Sequence, residues 1–174
     1  MSALVVYSSK TGNTEKVAKA IHGVFPKGTD LYRVEAAPSP DDYDLIALGF
    51  WVDKGQPDDA AKNYITKIKN KNIALFMTLG AYPDSDHARK SMQNVVDSLN
   101  KDNTVLGTFT CQGKIADNLV KSMATLPAGH PHAMSPERKA RLEEAAKHPD
   151  QKDFDNARAT FTQIIQQYTG AVHA

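Results

Sequence analysis

The 174-residue chain has a single cysteine, Cys111, so it can close no internal disulfide, and it carries no paired-cysteine spacing for zinc or an iron–sulfur cluster. No apolar run approaches the roughly 20 residues needed to span a bilayer. The N-terminus shows neither a basic region nor a small-residue cleavage pattern. Its 21 basic and 20 acidic residues almost cancel, which removes the charge footprint expected for nucleic acid or an anionic membrane. No Ser/His/Asp arrangement can be assembled, so no catalytic residue is assigned. His130-Pro131-His132 has no Cys or carboxylate to complete a ligand set and reads as a solvent-exposed loop rather than a metal site. These absences predict a cytoplasmic protein in a reducing compartment, with no metal, nucleic-acid or membrane partner.

Two phosphate-binding patterns are missing as well. A nucleoside-triphosphate loop needs Gly, four residues, then Gly-Lys-Ser/Thr, and a dinucleotide fingerprint needs three closely spaced glycines. Only Gly12 lies between residues 8 and 22. What is there instead is Ser8-Ser9-Lys10-Thr11-Gly12-Asn13-Thr14, set between an apolar run and an apolar-periodic helix. Hydroxyl and carboxamide side chains, a glycine for the sharp turn and a helix N-terminus with unpaired N–H groups make an anion cradle. One terminal phosphate fits it better than a pyrophosphate.

The rest of the chain alternates strand and helix. Residues 3–8 read as a buried strand. Thr14, Val17, Ala18, Ile21, Val24 and Phe25 then follow helical spacing until Pro26-Lys27-Gly28. Residues 31–35, 45–50, 73–78 and 105–111 complete five strands, with a bulge expected at Gly107, and helix faces recur at 61–68 and 88–99. A last helix buries Phe154, Ala157, Phe161, Ile164, Ile165 and Tyr168 and stops near Gly170. The whole of residues 1–174 is expected to form one domain, its five parallel strands covered by helices on both faces. Residues 113–150 are a helical insertion in that plan, with Ser135 as N-cap and Pro136 opening a charged helix that reaches Lys147.

Ser9-x-Thr11-Gly12-Asn13-Thr14, just after a first strand, resembles the phosphate loop of the flavodoxins, and Asp42-Tyr43-Asp44 resembles their approach to the third strand. The resemblance implies a flavodoxin-like, doubly wound α/β fold with strand order 2-1-3-4-5 and flavin mononucleotide (FMN) as cofactor. In such a sheet the ligand sits beyond the strands' carboxyl ends, where the order reverses. The cofactor-binding residues implied are Ser9, Lys10, Thr11, Gly12, Asn13 and Thr14 in the first loop, Phe50, Trp51, Val52 and Asp53 in the second, and Thr78, Leu79, Gly80, Ala81 and Tyr82 in the third.

Trp51 is the implied stacking partner of the flavin ring, or else a cover for apolar core. Tyr82 either stacks on the outer face or belongs to a turn and helix cap. Gly80 would let the backbone approach the ring edge, where amides and carbonyls read the pyrimidine. Relatives tend to have glycine where this chain has Val52, so either Gly55 supplies the mobile peptide or the one-electron-reduced state is less stabilised. Asp53, Asp84 and Asp86 are candidates for a negative field that lowers the reduction potential. Cys111 ends the last strand as an inert buried thiol. The near-neutral charge departs from the acidic balance usual in the family.

The function implied is an FMN electron carrier between a reductase and a separate electron acceptor. The alternatives are an NAD(P)H-dependent flavin or quinone reductase of the same fold and a cofactor-free interaction module. The oligomeric state is left open.

Overall fold

The computed structural model describes residues 2–127 and 129–172. In chain order the elements are β1 (Ala3–Tyr7), α1 (Asn13–His22), β2 (Asp30–Arg33), β3 (Leu45–Asp53), β4 (Gln56–Pro57), α2 (Asp59–Ile65), β5 (Asn72–Leu79), α3 (Asp86–Ser98), β6 (Thr104–Gln112), α4 (Asp117–Ala124), α5 (Pro136–Ala145) and α6 (Gln151–Val172). The main path of the sheet runs β2-β1-β3-β5-β6, all parallel, and β4 pairs antiparallel with the end of β3. The doubly wound order implied by the resemblance is therefore present, with one short strand added.

Two-sided burial explains why the central strands are apolar without a break. Leu4, Val6, Ile46, Leu48, Phe50, Ile73, Leu75 and Met77 point to one face, where α2 and α3 bring Ala61, Ile65, Ala88, Met92 and Val95. Val5, Tyr7, Leu45, Ala47, Ala74 and Phe76 point to the other, against Val17 and Ile21 of α1 and Ala157, Phe161 and Ile164 of α6. The period of two along each strand thus distributes alternate residues to two cores. Phe161 is fully buried, and the Phe76 ring meets it edge-on at 5.8 Å between centroids.

Several boundaries differ from the sequence reading. β3 does not stop at Phe50: it continues to Asp53 and turns back through Lys54 and Gly55, both at positive φ, into β4. The segment expected as a loop is a tight hairpin because two successive positive-φ residues match the twist of paired strands. The second strand ends at Arg33 and gives way to a 3-10 turn over Val34–Ala36. The expected irregularity in the last strand is real, since Ile73 pairs with Val105 but Ala74 pairs with Gly107, leaving Leu106 as the extra residue. Helix α4 was not legible because none of its residues is buried.

His148 closes the junction between α5 and α6. Its Nδ1 lies 2.5 Å from Asp153 Oδ2 and its Nε2 3.4 Å from Glu144 Oε1. The hydrogen bond to Asp153, reinforced by Glu144, raises its pKa above the ordinary 6.5 although partial burial opposes this. A raised folded-state pKa adds stability that is full below the unfolded value and lost as pH rises through the folded one. Thermal unfolding from about pH 6 to 8.5 should therefore show the native protein losing an advantage over His148→Gln as pH increases. Parallel profiles would remove this role.

Candidate functional site

The carboxyl ends of β1, β3 and β5 deliver three loops to one edge of the sheet. In the first, Gly12 takes φ +90° and precedes α1 with no side chain to cap it. The first intrahelical bond runs from Lys16 N–H to Gly12 O at 3.1 Å, so the N–H groups of Asn13, Thr14 and Glu15 precede it without an intrahelical acceptor. The loop is braced from within: Gly12 N–H donates to Ser9 Oγ at 3.1 Å, and the Arg33 guanidinium donates to Ser9 O at 2.8 Å. Lys10 and Thr11 are exposed.

Two expected cradle side chains have structural partners. Thr14 Oγ1 and Thr78 Oγ1 share a buried hydrogen bond of 2.8 Å that ties the first loop to the third, and Asn13 Nδ2 donates to Lys114 O at 2.9 Å. The groups left without a partner in the first loop are thus mainly backbone amides, with the Ser9 and Thr11 hydroxyls beside them. Glu15, the acid nearest these amides in sequence, is held by Lys19 at 2.6 Å, whose hydrogen bond keeps the carboxyl below its ordinary range. Its negative charge is thereby offset by Lys19 and Arg33.

Trp51 lies at the start of the β3–β4 hairpin, partly exposed, while Phe50 beside it is fully buried in the sheet. The Lys10 ammonium sits 5.1 Å from the Trp51 ring centroid, so a residue of the first loop covers a face of the aromatic in the second. Val52 and Asp53 pair with Pro57 and Gln56. The Gly55 carbonyl accepts from Asn94 Nδ2 at 2.9 Å, so the hairpin tip is tied to α3.

In the third loop Thr78 and Leu79 are buried and Ala81 packs against the core. The Ile115 side chain occupies the space a Cβ on Gly80 would need, at 2.2 Å, so the close approach foreseen at this glycine is made by the protein itself. Tyr82 is 42% exposed, and Ser85 both donates to Tyr82 O and caps α3. Asp86, foreseen as part of a negative field, is paired with Arg89 at 2.6 Å, which holds its carboxyl below the ordinary range. Asp53 and Asp84 are exposed.

Sequence reasoning missed a fourth wall and a buried acid. Gly113 N–H donates to Leu79 O, Lys114 N–H to His148 O and Asn13 to Lys114 O, so residues 113–115 strap the later helices to the site. Asp58, which the sequence reading did not single out, accepts from the Ser8 hydroxyl at 2.6 Å. Cys111 is buried at the base of the strap, and burial together with nearby Asp153 pushes its thiol pKa up. Two surface grooves, each about 380 Å³, flank the edge strand β6, and none of the foreseen cofactor-binding residues lines either of them.

The model of the flavodoxin domain family matches residues 4–162. The chain belongs to the flavodoxin domain family. A flavodoxin-like domain-containing protein BilS of Clostridioides difficile is 36% identical over 164 residues, covering 90% of this chain and 92% of that protein. Among solved structures, oxidised flavodoxin 2 of Bacillus cereus is similar over 96% of this chain and 99% of its own, with TM-score 0.55 and 16% identity. A Lactobacillus acidophilus flavoprotein in complex with FMN matches 70% of this chain and 97% of its own, with TM-score 0.52 and 18% identity. This flavodoxin-domain chain shares their fold.

Two outcomes follow from the geometry. Thr14→Val should leave the buried Thr78 hydroxyl without its partner and cost about 1–3 kcal/mol in denaturant unfolding; an unchanged midpoint would show that this bond is dispensable. Cys111 should react with a thiol-specific disulfide reagent only on unfolding, whereas rapid labelling of the native protein would contradict its burial.

Proposed function

We propose that this protein binds one FMN at the carboxyl edge of the sheet and passes electrons from a reductase to a separate redox enzyme, as a single cytoplasmic domain. The observation that carries the reading is the uncapped N-terminus of α1 behind Gly12, next to a partly exposed tryptophan. The family match supports FMN as the occupant. No described helix is long and apolar enough to cross a membrane, which agrees with a partner reached by diffusion.

The residues present fit the group. The N–H groups of Asn13 and Thr14, with the Ser9 and Thr11 hydroxyls, would hold a phosphate, and Arg33 adds positive potential behind the loop. Trp51 offers a flat apolar surface for the ring once Lys10 moves aside, and Ala81 and Tyr82 border the third loop. FMN supplies the electron-accepting chemistry when bound, while the chain binds it, orients it and keeps water from one face. An electron carrier needs no acid, base or nucleophile, and none is assigned here.

The purified protein incubated with FMN should retain the flavin at one equivalent, with its visible spectrum perturbed. Trp51→Ala should weaken binding about tenfold, the loss of one well-placed aromatic contact. Stepwise reduction with and without NAD(P)H then separates the rivals. Rapid bleaching by NAD(P)H alone assigns an oxidoreductase with its own substrate, and failure to retain FMN assigns an interaction module.

A further inference from the structure

The junction between α5 and α6 gathers an imidazole and two carboxylates that the FMN reading does not use. One donor atom from each of His148, Asp150 and Asp153 lies within 4.8 Å of the others. The side chains of His148 and Asp153 are only 19% and 17% exposed. Among the described residues no lysine or arginine forms an ion pair with Asp150 or Asp153, so His148 is the one basic side chain paired with either. The sequence reading weighed only His130 and His132 as metal ligands and expected none.

A capping box accounts for part of the arrangement. Asp150 Oδ1 accepts from the Asp153 N–H at 2.9 Å, and Asp153 Oδ2 accepts from the Asp150 N–H at 2.8 Å, which closes the start of α6. Each carboxylate has two oxygens, so Asp150 Oδ2 and Asp153 Oδ1 are left over. The box also gives no role to His148, whose Nδ1 lies 2.5 Å from Asp153 Oδ2 and whose Nε2 lies 3.4 Å from Glu144 Oε1 on the preceding helix. Metal-binding histidines have this pattern: one ring nitrogen ligates while the other donates to a second carboxylate, which fixes the tautomer and the ring.

We propose that His148 Nδ1, Asp150 and Asp153 bind one divalent transition-metal ion of the zinc class, with Glu144 as the positioning residue that orients the imidazole. One nitrogen and two carboxylate oxygens are a zinc donor set that leaves a fourth position to water. Magnesium and calcium favour sites made wholly of oxygen, and the imidazole selects against them. Donors of one zinc lie at most about 4.4 Å apart, so the cluster closes on the ion with roughly 0.5 Å of side-chain adjustment. The leftover oxygens ligate while the cap stays closed. Cys111, whose thiol donates to Gln112 O at 3.0 Å, is not a ligand. The ion staples α5 to α6, and because His148 O accepts from Lys114 N–H at 3.1 Å it also anchors the strap at residues 113–115.

The test titrates the metal-free native protein with zinc chloride, without flavin, and so stands apart from the FMN reading. Calorimetry should give one equivalent with a dissociation constant on the order of 1 μM. Amide NMR shifts should centre on residues 144–153, the ring nitrogens of His148 should show zinc on Nδ1 and the proton on Nε2, and the melting temperature should rise with zinc concentration. His148→Gln should weaken binding about 100-fold and Glu144→Gln about tenfold. Replacing both His130 and His132, the other neighbouring imidazoles, with Gln should leave the affinity unchanged. No binding by the native protein at about 100 μM zinc overturns the proposal. Shifts centred on residues 130–132 overturn it too, and neither result needs a variant to fold. Undiminished affinity in His148→Gln also overturns it, and undiminished affinity in Glu144→Gln, or zinc on Nε2, overturns the role of Glu144.

Discussion

Parallel strands can be joined only by crossovers, so every loop at their carboxyl ends gathers on one edge of the sheet, and the rest of this structure depends on that constraint. The crossover from β1 passes through α1 on the face shared with α6, whereas the crossover from β3 passes through α2 on the face shared with α3. Chains leaving adjacent strands toward opposite faces open a crevice between them. The first loop, the hairpin and the third loop meet at that crevice because the topology leaves them nowhere else to go. Apolar burial on both faces makes the sheet a rigid platform, and the polar residues collect where it ends.

In this member of the flavodoxin domain family, side chains bind those loops to one another. Ser8 reaches Asp58, Thr14 reaches Thr78, Asn13 reaches Lys114 and Asn94 reaches the hairpin tip. Side chains that could face a ligand are used as cross-braces, and the groups left for the ligand are mainly backbone amides. The electrostatics follow the same pattern. The acids nearest the loops in sequence, Glu15 and Asp86, are offset by Lys19 and Arg89, while Lys10 lies over the aromatic and Arg33 backs the phosphate loop. Those pairings offset two of the acids near the crevice, while Asp53 and Asp84 stay exposed.

The sheet was legible because buried parallel strands write themselves as unbroken apolar runs such as Leu45 to Phe50, and because the faces of α1, α3 and α6 repeat at helical spacing. The turn from β1 into α1 was legible because Gly12 and its hydroxyl-bearing neighbours are local chemistry. The hairpin was misread: Asp53, Lys54 and Gly55 look like a charged loop, and only the positive φ of Lys54 and Gly55 reveals the turn. Helix α4 escaped because a helix that buries no residue has no stripe to read. Asp58, Ile115 and the strap at residues 113–115 were invisible for another reason. Their importance lies in contacts with residues far away in sequence, and no local pattern encodes those.

The central claim is that the free amides behind Gly12 take a phosphate. Backbone amide NMR of the labelled protein, titrated with FMN and separately with riboflavin, tests it most directly. The account predicts that FMN shifts the amides of residues 11–15 strongly, and that riboflavin, which lacks the phosphate, perturbs the hairpin around Trp51 while leaving those amides nearly still. Equal shifts from both ligands, or shifts confined to the grooves beside β6, would contradict it.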